Sequence, residues 1–367
     1  MVSSFSVIIS AYNCEKVVSK TIESIIESID YFYANCDRPE EVKSEIIAVN
    51  DCSTDNTLYF LSRFVGVKYP FKIINNPQGR GAGATRNTGV KNSRGEILFF
   101  CDGDDLYLPE HIYVCFMVLN NDPNSSNANG SFKIGDLKIK LQENRLDGIR
   151  MGVKIKDRID PNWKLAIENS LTINLCLRRE CHEFIEGYPE ALVYKQIGGC
   201  EDCAYQRYLS RFFKIGKISI ETVEYIRYSG NSLDRQIVRA ETGEGMPEEE
   251  KVLHDRATKL EQEKIVYLRE KYNKRYPQSQ KSDLKREYEA HCQLKGYQFT
   301  QDWFSINIPL WQQVLQQFAN RPGLKFLEIG SWEGRSTCWL LDNILTQESS
   351  RITCIDTFEE SQRTDRI

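Results

Sequence analysis

Four short apolar runs alternate with segments of helical periodicity over residues 1–119, and that alternation restricts the fold more than anything else in the chain. Phe5–Ser10, Glu45–Val49, Phe71–Ile74 and Glu96–Phe100 have the length and composition of buried strands. Between the first two, Val18, Ile22, Ile25, Ile26 and Ile29 fall at helical spacing within Val17–Ile29. After the second, the cluster Asn50-Asp51-Cys52-Ser53-Thr54-Asp55 supplies caps for a helix running to Phe64. Gly79-Arg80-Gly81-Ala82-Gly83 breaks the chain before a short helix carrying Arg86 and Asn87, and Pro109 opens a helix to Leu119. Strands alternating with helices imply parallel pairing through right-handed crossovers, hence a Rossmann-like α/β sheet.

In such a sheet, ligands bind beyond the carboxyl ends of the strands. Each strand end here carries polar chemistry. The first closes on Ser10-Ala11-Tyr12-Asn13 and the second on Asp51; Arg86-Asn87 precede the fourth, which opens into Cys101-Asp102-Gly103-Asp104-Asp105. Three carboxylates within four residues repel one another, and a divalent cation or a metal–polyphosphate complex neutralises them. An ordinary acidic turn accounts for that stretch alone equally well. The set is more specific than any member. A nucleoside diphosphate needs an aromatic face, a carboxylate, hard oxygen ligands for a cation and an arginine, and all are present.

Composition narrows the remaining choices. A chain of 367 residues exceeds one ordinary core, so more than one domain is expected. The net charge of −4 gives no reason to invoke nucleic acid or an anionic membrane. Twelve cysteines scattered through apolar runs read as reduced, buried thiols. Cys200-Glu201-Asp202-Cys203 has the spacing of half a zinc site, but no second pair follows, and His111, His182, His254 and His291 have no partners at ligand spacing. Met1–Ser6 lacks the pattern of a signal peptide and no stretch has the length of a membrane span, so a soluble cytoplasmic protein is expected.

The ordered motifs Ser-Val-Ile-Ile-Ser-Ala-Tyr-Asn, Asn-Asp-Cys-Ser-Thr-Asp, Arg-Asn-Thr-Gly and Asp-Gly-Asp-Asp resemble the family 2 inverting glycosyltransferases of the GT-A fold, over roughly residues 1–235. The resemblance implies a mixed GT-A sheet and a nucleotide site made by Ala11, Tyr12, Asn13, Asp51, Arg86, Asp102, Gly103 and Arg227. It implies Mn²⁺ or Mg²⁺ on Asp102 and Asp104, with Asp105 and Glu201 on the substrate side. Asn50 stands where that family usually has a first aspartate. Asp202, after Gly198-Gly199-Cys200-Glu201, matches the family's general base, Asn174–Tyr188 its acceptor segment, and Arg227 with Ser232 its loop over the diphosphate. The implied reaction transfers a sugar from a UDP-sugar to a hydroxyl acceptor, in glycan or polysaccharide assembly. Gln206-Arg207-Tyr208 does not reproduce the Gln-x-x-Arg-Trp motif of processive members.

Beyond this region the reading is coarser. Asn120–Ser131 is a polar loop or insertion, Ser170–Leu175 a strand, Asp202–Phe213 a helix and Ile218–Tyr228 a strand. From Ala240 to about Gln293 charge dominates, and Leu253, Ala257, Leu260, Lys264, Leu268 and Tyr272 share one helical face. Phe326–Ser336, with Glu328-Ile329-Gly330, reads as strand, glycine turn and helix start, and Ile352–Asp356 as a second strand ending in an acid. That pattern, with Asp356 as the ribose-binding acid, is similar to the opening of class I S-adenosylmethionine methyltransferases. Two strands cannot complete such a sheet, so a truncated segment with no useful cofactor affinity is expected. The expected divisions are 1–239 for the transferase domain, 240–320 for a charged helical linker and 321–367 for the methyltransferase-like segment.

Three other readings stand beside this one: a bifunctional glycosyltransferase–methyltransferase fragment, a nucleotidyltransferase and a non-catalytic nucleotide-sugar scaffold. Ala11-Tyr12-Asn13-Cys14 occupies the place where a nucleotidyltransferase needs a glycine-rich basic loop, and the intact Asp102, Asp104 and Asp202 argue against a scaffold.

Overall fold

The structure, a computed structural model, describes residues 2–120, 131–134, 137–140, 145–156, 159–197, 199–227, 232–275, 280–300, 302, 304–331 and 333–356. Most of the polar stretch after Asn120, Gly198, Tyr228–Asn231 of the expected diphosphate loop and Trp332 lie outside the described residues. The chain divides into two compact units, residues 1–268 and 269–367.

The first unit opens with β1 (Ser4–Ala11), α1 (Val18–Asn35), β2 (Lys43–Asn50), α2 (Thr57–Ser62), β3 (Phe71–Asn75), α3 (Ala82–Lys91) and β4 (Ile97–Asp102). It continues through β5 (Leu106–Tyr107), α4 (His111–Leu119), the hairpin β6 (Ser131–Ile134) and β7 (Leu137–Lys140), β8 (Gly148–Lys154) and α5 (Pro161–Ser170). Then follow β9 (Leu175–Arg178), α6 (Arg179–Ile185), α7 (Leu192–Ile197), α8 (Glu201–Phe212), β10 (Ile215–Glu224), α9 (Ser232–Thr242) and α10 (Glu248–Arg275), which runs past the division at Leu268.

Eight strands form one sheet in the order β3-β2-β1-β4-β9-β8-β10-β5. The four strands read from the alternation pair in parallel, as that alternation implies. The sheet as a whole is mixed, because β9 and β5 run against the others. β1 is covered on both faces. Phe5, Val7 and Ile9 belong to a core with Val18, Ile22, Ile25 and Phe32 of α1 and Ile112 and Phe116 of α4. On the other face α3 lies so close that a Cβ on Gly89 would meet Ile8 Cγ2 at 2.3 Å.

One expected strand is displaced. Ser170–Asn174 is not a strand: α5 ends at Ser170, and pairing begins only at Leu175. The alternation Ser-Leu-Thr-Ile-Asn-Leu mimics a strand, but Asn174 turns its amide inward, donating to Met151 O at 2.7 Å and Glu168 O at 2.8 Å. All six residues of the charged helical face fall within α10, where Ala257 and Leu268 are buried.

The second unit holds α11 (Gln280–Lys295), α12 (Ile308–Leu315), β11 (Lys325–Ile329), α13 (Arg335–Asn343) and β12 (Arg351–Ile355). β11 and β12 pair in parallel, and one face packs on a core that includes Tyr288, Phe304, Ile308, Trp339 and Ile344. Leu327, Ile329 and Ile355 on the other face are exposed. The Glu328 carboxylate accepts from the hydroxyls of Ser336 and Thr337 at the start of α13. Among the described residues no helix is long and apolar enough to cross a membrane.

Candidate active site

Register brings the strand ends together. Ser10 lies opposite Val49 on one side and Asp102 on the other, and Ala11 opposite Asn50, so β1, β2 and β4 end along one edge. Asn13 and Cys52, in left-handed conformations with φ of 48° and 62°, turn the chain beyond β1 and β2. Asn13 fastens these two loops: its N–H donates to Ser53 Oγ at 3.0 Å, and its Oδ1 accepts from Thr54 N at 2.8 Å. Tyr12 stands at the rim with 60% of its surface exposed, an open aromatic face.

Asp51 is buried and works through a loop. Its Oδ1 accepts from Asn76 Nδ2 at 2.7 Å and Arg80 N at 2.9 Å, and its Oδ2 from Arg80 N at 3.0 Å and Gly81 N at 2.8 Å. A carboxylate offers about four acceptor directions, and these are filled. Asp51 therefore fixes the Gly79–Gly81 turn. A cavity of about 290 Å³ opens there, walled by Tyr12, Asp51, Gly79, Gly81, Thr85 and Lys195 among others.

At the end of β4, Asp102 accepts from Ser10 Oγ at 2.5 Å and from Arg86 Nη2 at 2.7 and 2.8 Å through its two oxygens. Gly103 lets the turn close on β1, since a Cβ there would meet Cys14 Sγ at 2.7 Å. Asp105 departs from the expectation of a substrate contact. It is 2% exposed, and its Oδ1 accepts from Ile226 N at 3.0 Å, next to Arg227. Burial, then the charges of Asp104 and Asp102, holds its carboxyl well above the usual carboxylate range. Asp105 thus ties the acidic turn to the segment bearing Arg227.

Asp102, Asp104 and Asp105 stand within one short turn at the end of β4. Like charges crowd this turn, and a divalent ion relieves such crowding. Among the described residues no group of three or more His, Cys, Asp or Glu is arranged to hold a metal ion. Asp102 and Asp104 offer the hard carboxylate oxygens that a divalent cation takes.

The second half of the site is built on the start of α8. Gly199 and Cys200 have φ of 149° and 74°, and this turn sets Glu201 and Asp202 in the first turn of the helix. Asp202 Oδ1 accepts from Cys203 N at 2.7 Å. Burial raises both carboxyls above their usual range, opposed by the Arg86 charge. Arg86 joins the halves: besides Asp102 it lies 3.5 Å from Glu201, with its guanidinium carbon 5.2 Å from the Tyr188 ring centroid. Tyr188 stacks on Tyr205 at 3.7 Å between centroids, and Tyr205 Oη pairs with His182 Nδ1 at 2.8 Å. Despite its own burial, Arg86 is held charged by Asp102.

Asn87 stands in the sequence reading beside Arg86, whereas Glu190 and Lys195 do not. Asn87 holds the segment after α6: its Oδ1 accepts from Tyr188 N, and its Nδ2 donates to Tyr188 O and Glu190 Oε1. Glu190 pairs with Arg80, and Lys195 Nζ donates to Gly79 O at 2.7 Å. A second cavity of about 240 Å³ lies here, sharing Gly81, Ala82 and Lys195 with the first and reaching Glu201. Arg150, an arginine in the apolar strand β8, was also missed; an isolated charge within such a run is the signal that points to it.

Residues 6–166 match the family described as Glycosyl transferase family 2. An uncharacterized glycosyltransferase of Haemophilus influenzae is 29% identical over 119 residues, 32% of this chain and 35% of that one. The UDP-Glc:alpha-D-GlcNAc-diphosphoundecaprenol beta-1,3-glucosyltransferase WfgD of Escherichia coli is 29% identical over 32% of this chain and 42% of its own. The poly(ribitol-phosphate) beta-N-acetylglucosaminyltransferase TarS of Staphylococcus aureus is 33% identical over 28% of this chain and 16% of its own. The chain thus spans less than half the length of each of these relatives.

Proposed function

We propose that the first unit is an inverting glycosyltransferase that moves a sugar from a UDP-sugar to an acceptor hydroxyl in glycan or polysaccharide assembly. The observation that carries this reading is Arg86, bonded to Asp102 on the diphosphate side and 3.5 Å from Glu201 on the acceptor side. The family match and relatives named as glucosyl- and N-acetylglucosaminyltransferases support it. Tyr12 stacks on the base, while Ala11, Asn13 and the Asp51-held loop frame the nucleoside. Arg86 and Gly103, with Arg227 on the segment tied by Asp105, surround the diphosphate. Asp102 and Asp104 would hold Mn²⁺ or Mg²⁺, which offsets charge on the leaving diphosphate.

Asp202 accepts the proton of the acceptor hydroxyl as its oxygen bonds to the anomeric carbon. The bond from that carbon to the diphosphate breaks on the opposite face, through an oxocarbenium-like transition state, and the configuration inverts. Glu201 shares the buried pocket and orients the acceptor.

The test is Asp202→Asn. UDP binding by calorimetry should stay near wild type, while turnover of UDP-glucose or UDP-N-acetylglucosamine falls by roughly two to four orders of magnitude, the usual share of general-base catalysis. Turnover near wild type in that variant would refute the assignment. UDP affinity that is the same with and without Mn²⁺ would refute the metal.

A further inference from the structure

The cavity walled by Tyr12 and Asp51 is short of groups that can bond to what it holds. Asp51 has its acceptor directions filled by Asn76 Nδ2, Arg80 N and Gly81 N. Ser10 Oγ donates to Asp102, and Thr85 Oγ1 accepts from Asn76 Nδ2 at 3.2 Å. Tyr12 contributes an open ring face. Among the described residues of this wall, Lys195 is the charged donor that remains. It is exposed on α7 and lines the adjoining cavity as well.

The backbone of the Gly79–Gly81 turn holds this lysine in place. Its stem runs along Gly81, where a Cβ would stand 4.0 Å from both Lys195 Cβ and Cγ. Its Nζ donates to Gly79 O at 2.7 Å, and among the described residues no carboxylate pairs with it. An ammonium has three donors, so one bond to a neutral carbonyl leaves two.

Sheet order decides which end of a nucleotide meets those donors. The strands run β3-β2-β1-β4, with Gly79 following β3, Asp51 following β2 and Asp102 ending β4. A nucleotide with its diphosphate at Asp102 and its base on Tyr12 turns toward the Gly79 loop the base edge remote from the ribose. Uracil, like thymine, carries the 4-carbonyl on that edge, an acceptor; cytosine carries the 4-amino group, a donor. An ammonium bonds the first and is set against the second.

We propose, resting on the nucleotide-sugar reading above, that Lys195 is a specificity residue that donates to the 4-carbonyl of uracil and so selects uridine over cytidine nucleotides. It stands at the base end of the donor, apart from the reacting atoms. A lysine that merely tied α7 to the Gly79 loop would have no means of telling the two bases apart.

The test is calorimetry with UDP and with CDP, at fixed Mn²⁺, on wild type, Lys195→Met and Lys195→Arg. Wild type should prefer UDP. The Met variant keeps the stem on Gly81 and removes the donors. There UDP should weaken by about five- to tenfold, the share of one net hydrogen bond, while CDP stays within about twofold, so that the preference collapses. The Arg variant, which keeps a charged donor, should retain most of the preference. Equal weakening of UDP and CDP in the Met variant, the mark of a tether or a phosphate contact, would overturn the proposal, and so would an unchanged preference. Either result leaves the nucleotide-sugar reading standing, whereas a wild type that binds neither nucleotide would overturn that reading and the proposal with it.

Discussion

Gly83 lies in the first turn of α3, where the two halves of the site meet. A Cβ there would fall 2.8 Å from Glu201 Cγ, 3.1 Å from Tyr188 Cβ and 3.4 Å from Pro189 O. Ordinary carbon contacts lie at about 3.5–4.0 Å, so in Gly83→Ala the Glu201 side chain must retreat by about 0.7–1.2 Å. Its 3.5 Å approach to Arg86 is then lost. Tyr188 yields less easily, because Asn87 grips its backbone N–H and carbonyl. Overpacking of this kind costs about 1–3 kcal/mol, offset by at most about 1 kcal/mol of helix propensity. The net loss centres near 1 kcal/mol, a fall in Tm of about 2–4 °C for a domain of this size. Catalysis should suffer more, since a displacement of about 1 Å at a reacting group costs on the order of 100-fold. Turnover of a UDP-sugar should therefore drop by about that factor while UDP affinity stays within a few-fold. Wild-type turnover and Tm in Gly83→Ala would refute this account of how α3 and α8 are packed.

The remaining predictions concern the metal, acid stability and the second unit. Asp104→Asn should abolish the Mn²⁺-dependent part of UDP binding in calorimetry and leave the melting transition in place. Burial pushes the His182 imidazole down to about 3, so it stays neutral in the folded state while the unfolded chain takes up a proton below its ordinary value of 6.5. From His182, stability should thus fall with pH between 6.5 and about 3, by about 1.4 kcal/mol per pH unit, and His182→Gln should flatten that slope in denaturant titrations. An unchanged slope would show that His182 is not the group titrating. S-adenosylmethionine should give no calorimetric signal at micromolar concentration, because Glu328 is already bonded to Ser336 and Thr337; a measurable signal would overturn that.

Sequence made the strand-end edge legible because a polar residue after an apolar run stands out. Asp102 lies there opposite Ser10, and Asn13 turns the chain beyond β1 in a left-handed conformation. The burial of Asp105 was not legible, because four consecutive polar or glycine positions look alike in one dimension. Its carboxylate accepts from Ile226 N, 121 residues later, a contact no local pattern announces. The acceptor side was harder to read. Tyr188, Glu190 and Lys195 come from a segment with no strong periodicity, and their roles depend on α3 passing close by. The turn at residues 171–174 was taken for a strand because Leu171 and Ile173 pack into the core at alternate positions, while its polar groups, Leu171 O and Asn174 Oδ1, accept from Arg150.

Arg86 also bears on engineering. Because one guanidinium serves Asp102 and Glu201 together, libraries that vary the residues around Asp102 and those around Glu201 separately will not combine freely. Beneficial changes on one side will be conditional on the residue chosen on the other. Recombining independently selected winners will then give a smaller gain than the product of their separate improvements. Selecting for a new sugar and a new acceptor at once, with Arg86 held constant, searches the smaller and more productive space.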